Sequence, residues 1–243
     1  MTRTGLKTSV ETNTRKAERA LSALNKLIKL NGEDGFESRV SVISKMFLDR
    51  PYAENPLGGG PESSELFRAS FDEFDCVTYV EIVLALACSK TPARFLHDLR
   101  ALRYHDGKVD WFTRNHFMTA WLRRNVARGA IADLTRGRDT ISKTRTLSGV
   151  AGLPPEETTF RYFPKRSFSK VRSRIHTGDL IMFVTTRKHL DVFHMGILIQ
   201  QGDQIFLRHA TRSAGKVIEQ DLADFFRANR MSGFILARPL CLP

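Results

Sequence analysis

A chain of 243 residues with 42% hydrophobic content is long enough to bury a substantial core and too apolar to remain disordered. Its net charge of +12 favours anionic partners, whether nucleic acid, acidic lipid or the anionic polymers of a cell envelope. The basic residues are dispersed and no nucleic-acid motif accompanies them, so nucleic acid is the weaker expectation and a solvated basic face the plain alternative.

Residues 1–16 are polar and lack the apolar segment of a secretory signal. Ala17, Leu21, Leu24, Leu27 and Ile28 recur at helical spacing, predicting a helix over 11–30 within an N-terminal extension (1–35). Val40, Ile43, Met46 and Phe47 mark a second amphipathic segment. Residues 51–64, with Asn55-Pro56 and Gly58-Gly59-Gly60-Pro61, must be loop. Helices are expected over 76–88, 92–102 and 116–128, the second with proline in its first turn. Residues 130–174 are mixed in character and broken by Pro154-Pro155, so 90–175 reads as a helical and loop insert over the core. After Gly178 the texture becomes β: runs at 180–185, 192–200 and 204–210 are rich in Ile, Val and Phe. A short helix near 220–229 and a strand over 233–237 close the chain. Helices first and antiparallel strands later predict one α+β domain over 1–243. No apolar run is long enough to span a bilayer.

Three cysteines, Cys76, Cys88 and Cys241, are too few and too scattered for a disulfide framework. Cys76 stands out by its context, Phe74-Asp75-Cys76-Val77-Thr78-Tyr79-Val80-Glu81. Asp75 is a good N-cap and places Cys76 at the first helical position, with Phe74 and Tyr79 at the two positions of a hydrophobic staple. A thiol there faces free backbone N–H groups and the positive end of the helix dipole, which favour the thiolate and predict a lowered pKa. A small buried residue on a core helix is the plain alternative. Cys88 and Cys241 carry no comparable context.

A nucleophilic thiol needs a base. His194 and His209 stand on two runs separated by the turn at Gln201-Gly202-Asp203, so a hairpin would set them side by side. Alternation places Val192, His194 and Gly196 on one face and Phe193, Met195 and Ile197 on the other, apart from His194. Either histidine alone is more often structural. Paired, with a capping cysteine upstream, they form the base-and-orienter arrangement of a thiol hydrolase.

Asp75-Cys76 opening a helix, His194-Met195-Gly196-Ile197 on a strand and His209-Ala210-Thr211 on the next resemble the three catalytic motifs of NlpC-type papain-like cell-wall peptidases. More narrowly, the chain resembles the N-acetylmuramoyl-L-alanine amidase-like branch. The further matches are Leu102-Arg103-Tyr104, Asp106-Gly107, Arg114-Asn115-His116, Trp121, Gly178-Asp179 and Leu190-Asp191. The resemblance implies a papain-like core, with Cys76 as nucleophile, His194 as general base and His209 as the orienting residue. It also implies a substrate groove near His116, Trp121 and Asp191, with structural hydrogen bonding the plain alternative for His116 and core packing the preferred reading of Trp121. The implied partner is peptidoglycan or its muropeptides, with no metal and no cofactor, and the implied place is periplasmic or secreted. Thr211 stands where a serine is usual and His189 where a glycine is expected; no upstream oxyanion donor aligns.

Three other readings compete. His189, Asp191, His194 and His209 could be drawn around zinc, at a spacing that matches no ligand pattern. A papain-fold effector could act on another amide or acyl group, as a deamidase or acyltransferase. A basic, non-catalytic binding module would rest on charge alone.

Overall fold

The computed structural model describes residues 35–241, with residues 22 and 25 beside them. Apart from those positions, the expected N-terminal extension and its helix lie outside the described residues.

Six α-helices and eight strands make up the described chain. The helices are α1 (Phe36–Met46), α2 (Cys76–Cys88), α3 (Pro92–Arg103), α4 (Met118–Ala127), α5 (Phe168–Val171) and α6 (Leu222–Ala228). The strands are β1 (Ile131–Asp133), β2 (Ile141–Leu147), β3 (Glu156–Pro164), β4 (Leu180–Val184), β5 (Val192–Gln201), β6 (Gln204–Thr211), β7 (Lys216–Asp221) and β8 (Gly233–Pro239). All pairings are antiparallel, in the order β2-β3-β8-β4-β5-β6-β7 with β1 also on β8. This is the α+β class that the sequence predicts.

α2 is the central helix. Its sequence, CVTYVEIVLALAC, is apolar on every side, and every residue from Thr78 to Ala87 is buried. It packs against β5 and β6 on one side and against α1 and α3 on others. The one carboxylate on this stretch, Glu81, meets the Arg103 guanidinium at 2.7 Å and the Trp121 indole N–H at 3.2 Å, so its charge is paired inside the core. β4 is buried along its whole length because both faces are covered. Leu180, Met182 and Val184 join the helical core, while Ile181 and Phe183 join a second core with Leu207, Phe225 and Phe234 beneath α6.

Three features depart from expectation. The insert contributes β1, β2 and β3 to the sheet, so it extends the sheet as well as crossing it. Residues 216–221 form β7, an edge strand next to β6. Cys88 and Cys241, 153 residues apart in sequence, form a disulfide with Cα atoms 5.0 Å apart. That crosslink ties the end of α2 to the segment after β8. Closing so long a loop stabilises the fold by about 2–4 kcal/mol. The scattered spacing hid it, because only the folded sheet brings the two positions together.

Candidate active site

Asp75 caps α2 as its sequence implies. Its carboxylate accepts from Val77 N at 3.0 Å and Thr78 N at 2.7 Å, and the Thr78 hydroxyl accepts from Asp75 N at 3.0 Å, completing a reciprocal capping box. Phe74 and Tyr79 form the staple, with ring centroids 5.8 Å apart. Cys76 is therefore the first helical residue, and with Cys88 and Cys241 bonded to each other it is the one free thiol. The backbone N–H groups of Met195, Cys76 and Val77 face its sulfur and favour the anion. Burial and the Asp75 carboxylate outweigh them, and the thiol is pushed up to about 12. The expected lowering is thus reversed: helix position alone does not offset removal of the sulfur from water.

His194 and His209 meet directly. β5 and β6 form the expected hairpin, pairing from Ile197 with Arg208 to Gln201 with Gln204. Gly196 permits the close approach; a Cβ there would stand 2.6 Å from Leu207, 2.8 Å from the Arg208 carbonyl and 3.0 Å from the His209 Cβ. His194 Nε2 lies 2.5 Å from His209 Nδ1, and His209 Nε2 lies 3.3 Å from Gln220 Oε1. The chain of bonds sets the tautomers. Gln220 Oε1 can only accept, so His209 carries its proton on Nε2 and accepts at Nδ1 from His194 Nε2–H. His194 Nδ1 is left as the unprotonated nitrogen. Gln220, on β7, escaped the sequence reading because nothing local marks it.

Strict alternation fails at the start of β5. The register with β4 shifts between Phe183 and Val184, where His194 and Val192 are the respective partners and Phe193 is the extra residue. Phe193 thereby turns to the same face as His194, with ring centroids 6.5 Å apart. His194 also stacks near Phe183 and Phe225, at 6.2 and 5.6 Å. It is enclosed by large apolar side chains rather than separated from them.

That enclosure keeps both imidazoles neutral. Burial, followed by the neighbouring His209, pushes His194 down to about 3, and burial pushes His209 down to about 4. An unfolded chain takes up both protons as the pH falls through 6.5, whereas the folded chain resists until about 4. Stability is therefore insensitive to these two groups above 6.5 and declines as the pH drops from 6.5 toward 4. The urea midpoint is expected to fall between pH 7 and pH 4.5, and to fall less in His209→Gln. An equal fall in both proteins would show that the histidine pair does not titrate in this way.

Tyr52 is a second side chain that the sequence did not reveal. Phe74 N donates to the Pro51 carbonyl at 3.0 Å, Ala53 N to Phe74 at 2.9 Å, and Tyr52 N to Gly215 at 2.8 Å. These bonds hold the segment between the start of α2 and the β6–β7 turn. Burial, then the Cys76 and Asp75 charges, push the Tyr52 phenol up, opposed by a hydrogen bond from Arg212. The phenol thus lies within electrostatic range of the Cys76 sulfur.

The other expected site residues lie elsewhere. Trp121 is fully buried in the core, bonded to Glu81, and lines no groove. Asp191 is also fully buried; it accepts from Thr119 N and Thr119 Oγ1 at 2.7 Å and from Val192 N at 2.7 Å, anchoring α4 to β5. His116 is half-buried, donates from Nε2 to the Trp111 carbonyl at 2.8 Å and packs on that indole at 4.4 Å, rather than on Cys76, His194 or His209. Asp179 binds the Arg238 guanidinium at 2.7 and 2.8 Å and the His176 amide at 2.9 Å, a loop-fastening role. With Asp191 occupied in this way the zinc arrangement loses a ligand, and no three His, Cys, Asp or Glu side chains among the described residues are placed to share a metal. Cys76 and His194 share no direct hydrogen bond among the described contacts; the sulfur meets β5 at the next residue, Met195.

The N-acetylmuramoyl-L-alanine amidase-like family matches residues 42–234 of the chain. Among solved structures, a protein of unknown function from Legionella pneumophila str. Philadelphia 1 superposes with a TM-score of 0.80 at 24% identity, over 92% of this chain and 95% of that one. An N-acetylmuramoyl-L-alanine amidase from Bacteroides uniformis ATCC 8492 superposes with a TM-score of 0.71 at 25% identity, over 81% of this chain and 96% of that one. No curated protein matches the chain. The match to the family spans Cys76, His194 and His209 and most of the described fold, and the chain belongs to the N-acetylmuramoyl-L-alanine amidase-like family.

Proposed function

We propose that this protein is a cysteine amidase that hydrolyses an amide bond of peptidoglycan, with Cys76 as nucleophile, His194 as general base and His209 as the orienting residue. The observation that carries the reading is the hydrogen-bonded line His194–His209–Gln220, which leaves one basic nitrogen on an imidazole next in sequence to the residue facing the only free thiol. The amidase name of the Bacteroides uniformis neighbour supports the substrate class.

In the resting protein the Cys76 thiol and the His194 imidazole are both neutral. Attack therefore couples two events: the Cys76 proton passes to His194 Nδ1 as the sulfur–carbon bond forms. The developing oxyanion has two candidate donors, the backbone N–H of Cys76 at the helix start and the Tyr52 hydroxyl. The imidazolium, stabilised through Nε2–H by His209, returns its proton to the leaving amine. Water, deprotonated by the same nitrogen, then releases the acyl group and restores the thiol. No metal or organic cofactor enters these steps.

The bond we assign is the amide between the lactyl group of muramic acid and L-alanine, or a neighbouring stem-peptide amide. The Cys88–Cys241 disulfide supports an oxidising compartment and hence a periplasmic or secreted enzyme. Mass spectrometry of purified muropeptides after incubation decides the bond. Release of the whole stem peptide from the disaccharide is expected; cleavage within the stem makes the enzyme an endopeptidase, and unchanged muropeptides exclude peptidoglycan as its substrate.

A further inference from the structure

α3 and α4 are linked through residues 104–117, a connection that opens with the tight turn His105–Gly107. Asp106 and Gly107 both have positive φ, 52° and 66°, as a turn this tight requires. Between the two helices lies a cleft of about 570 Å³, a volume typical of small-ligand sites. None of its lining residues belongs to the Cys76, His194 and His209 group.

Its charge is one-sided. Arg100, Arg124, Arg128, His97 and His105 line it, with Asp106 as the single carboxylate. Among the described residues no carboxylate lies within ion-pairing distance of any of the three arginines. Arg124 donates to the Asn115 amide oxygen at 2.7 Å and Arg128 to the Asn125 amide oxygen at 2.8 Å. Arg100 lies over the Phe67 ring at 5.1 Å. These partners orient the guanidiniums without neutralising them. Asp98 is near Arg128, but its two oxygens already accept from Arg94 Nε at 2.9 and 2.8 Å. Burial is the main influence on both Arg124 and Arg128 and pushes both pKa values down, the direction expected of cations withdrawn from water without sufficient counter-charge. A half-buried, unneutralised guanidinium costs free energy that an incoming anion offsets.

We propose that this cleft between α3 and α4 is a second binding site, separate from the thiol site, for a phosphate-bearing ligand. Arginine forks match the paired oxygens of a phosphate, and three of them around one cleft suit a group of more than one negative charge. The cleft admits one or two phosphates of a small molecule or of a phosphodiester polymer and is too small to enclose a nucleic-acid duplex. The assignment does not depend on what the thiol site cleaves.

Calorimetric titration of the whole protein with pyrophosphate, glycerol 3-phosphate and poly(glycerol phosphate) at low ionic strength tests it. Saturable binding is expected for at least one of them. It should weaken at least about tenfold, a change of roughly 1.4 kcal/mol, in Arg124→Gln/Arg128→Gln. The charge-matched Arg136→Gln/Arg138→Gln variant, altered at exposed positions between β1 and β2, should bind as the parent does. Binding of the monoester or pyrophosphate alone supports a small-molecule ligand, and binding of the polymer alone supports an envelope polymer. Absence of saturable binding, equal loss in both double variants, or binding of duplex DNA but none of the three probes would overturn the proposal. Should Arg124→Gln/Arg128→Gln fail to fold, Arg100→Gln supplies the same comparison, because its side chain is exposed, over the Phe67 ring.

Discussion

Cys76→Ala is expected to eliminate hydrolysis of muropeptides, a loss of about four orders of magnitude or more, because no other group in the site can form the acyl-enzyme. The fold should persist. The capping box uses the Asp75 carboxylate and the Thr78 hydroxyl, and both survive the substitution. Cys76→Ser is informative as well, since a hydroxyl of similar size keeps the packing while supplying a weaker nucleophile. The raised thiol pKa shapes the chemical counterpart of this experiment. Iodoacetamide should label Cys76 slowly at pH 7 and faster with rising pH, with Cys88 and Cys241 protected by their disulfide. Rapid labelling at pH 6 would show a resting thiolate and overturn the neutral-pair mechanism. Normal muropeptide turnover by Cys76→Ala would remove the cysteine mechanism altogether.

His194→Ala should lower turnover by about 10²–10⁴-fold, the usual contribution of a positioned general base. His209→Gln should retain a measurable part of the activity. The orienting bond requires only an acceptor for His194 Nε2–H, and a glutamine carbonyl oxygen can supply one. Gln220→Leu probes the same line from its far end: it frees His209 to place its proton on Nδ1, where two N–H groups would then face each other across the short contact. A smaller loss than for His194→Ala is expected, with the substrate KM little changed. Steady-state kinetics on soluble muropeptides, with circular dichroism to confirm folding, compares the three. If folded His209→Gln is as inactive as His194→Ala, proton transfer is shared between the histidines. If His194→Ala stays near normal, the base lies elsewhere.

The parts of this site legible in the sequence are those built by short-range rules. A capping aspartate, a threonine three residues on and a flanking aromatic pair specify where α2 begins, so Cys76 could be placed at its first position. A β hairpin with a tight turn at Gly202 specifies that His194 and His209 are neighbours. Order along the chain likewise conveyed the α+β class, and the motif resemblance pointed to the family that then matched.

What the tertiary structure alone decided are the quantities that sum over distant parts of the chain. Tyr52 comes within electrostatic range of the thiol because its segment is pinned between Phe74 and Gly215. Gln220 completes the histidine line only once β7 pairs with β6. One extra residue in β5 reverses the facing of Phe193 and closes an aromatic wall around His194, which no count of alternating residues could show. The same holds for charge. A helix N-terminus favours a thiolate by a local field, but desolvation depends on every group that displaces water from the sulfur, and here it prevails. Buried Trp121 and Asp191, read as groove residues, belong to the core for this reason: their polar atoms find partners at Glu81 and Thr119, 40 and 72 positions away, and sequence spacing carries no trace of such pairings.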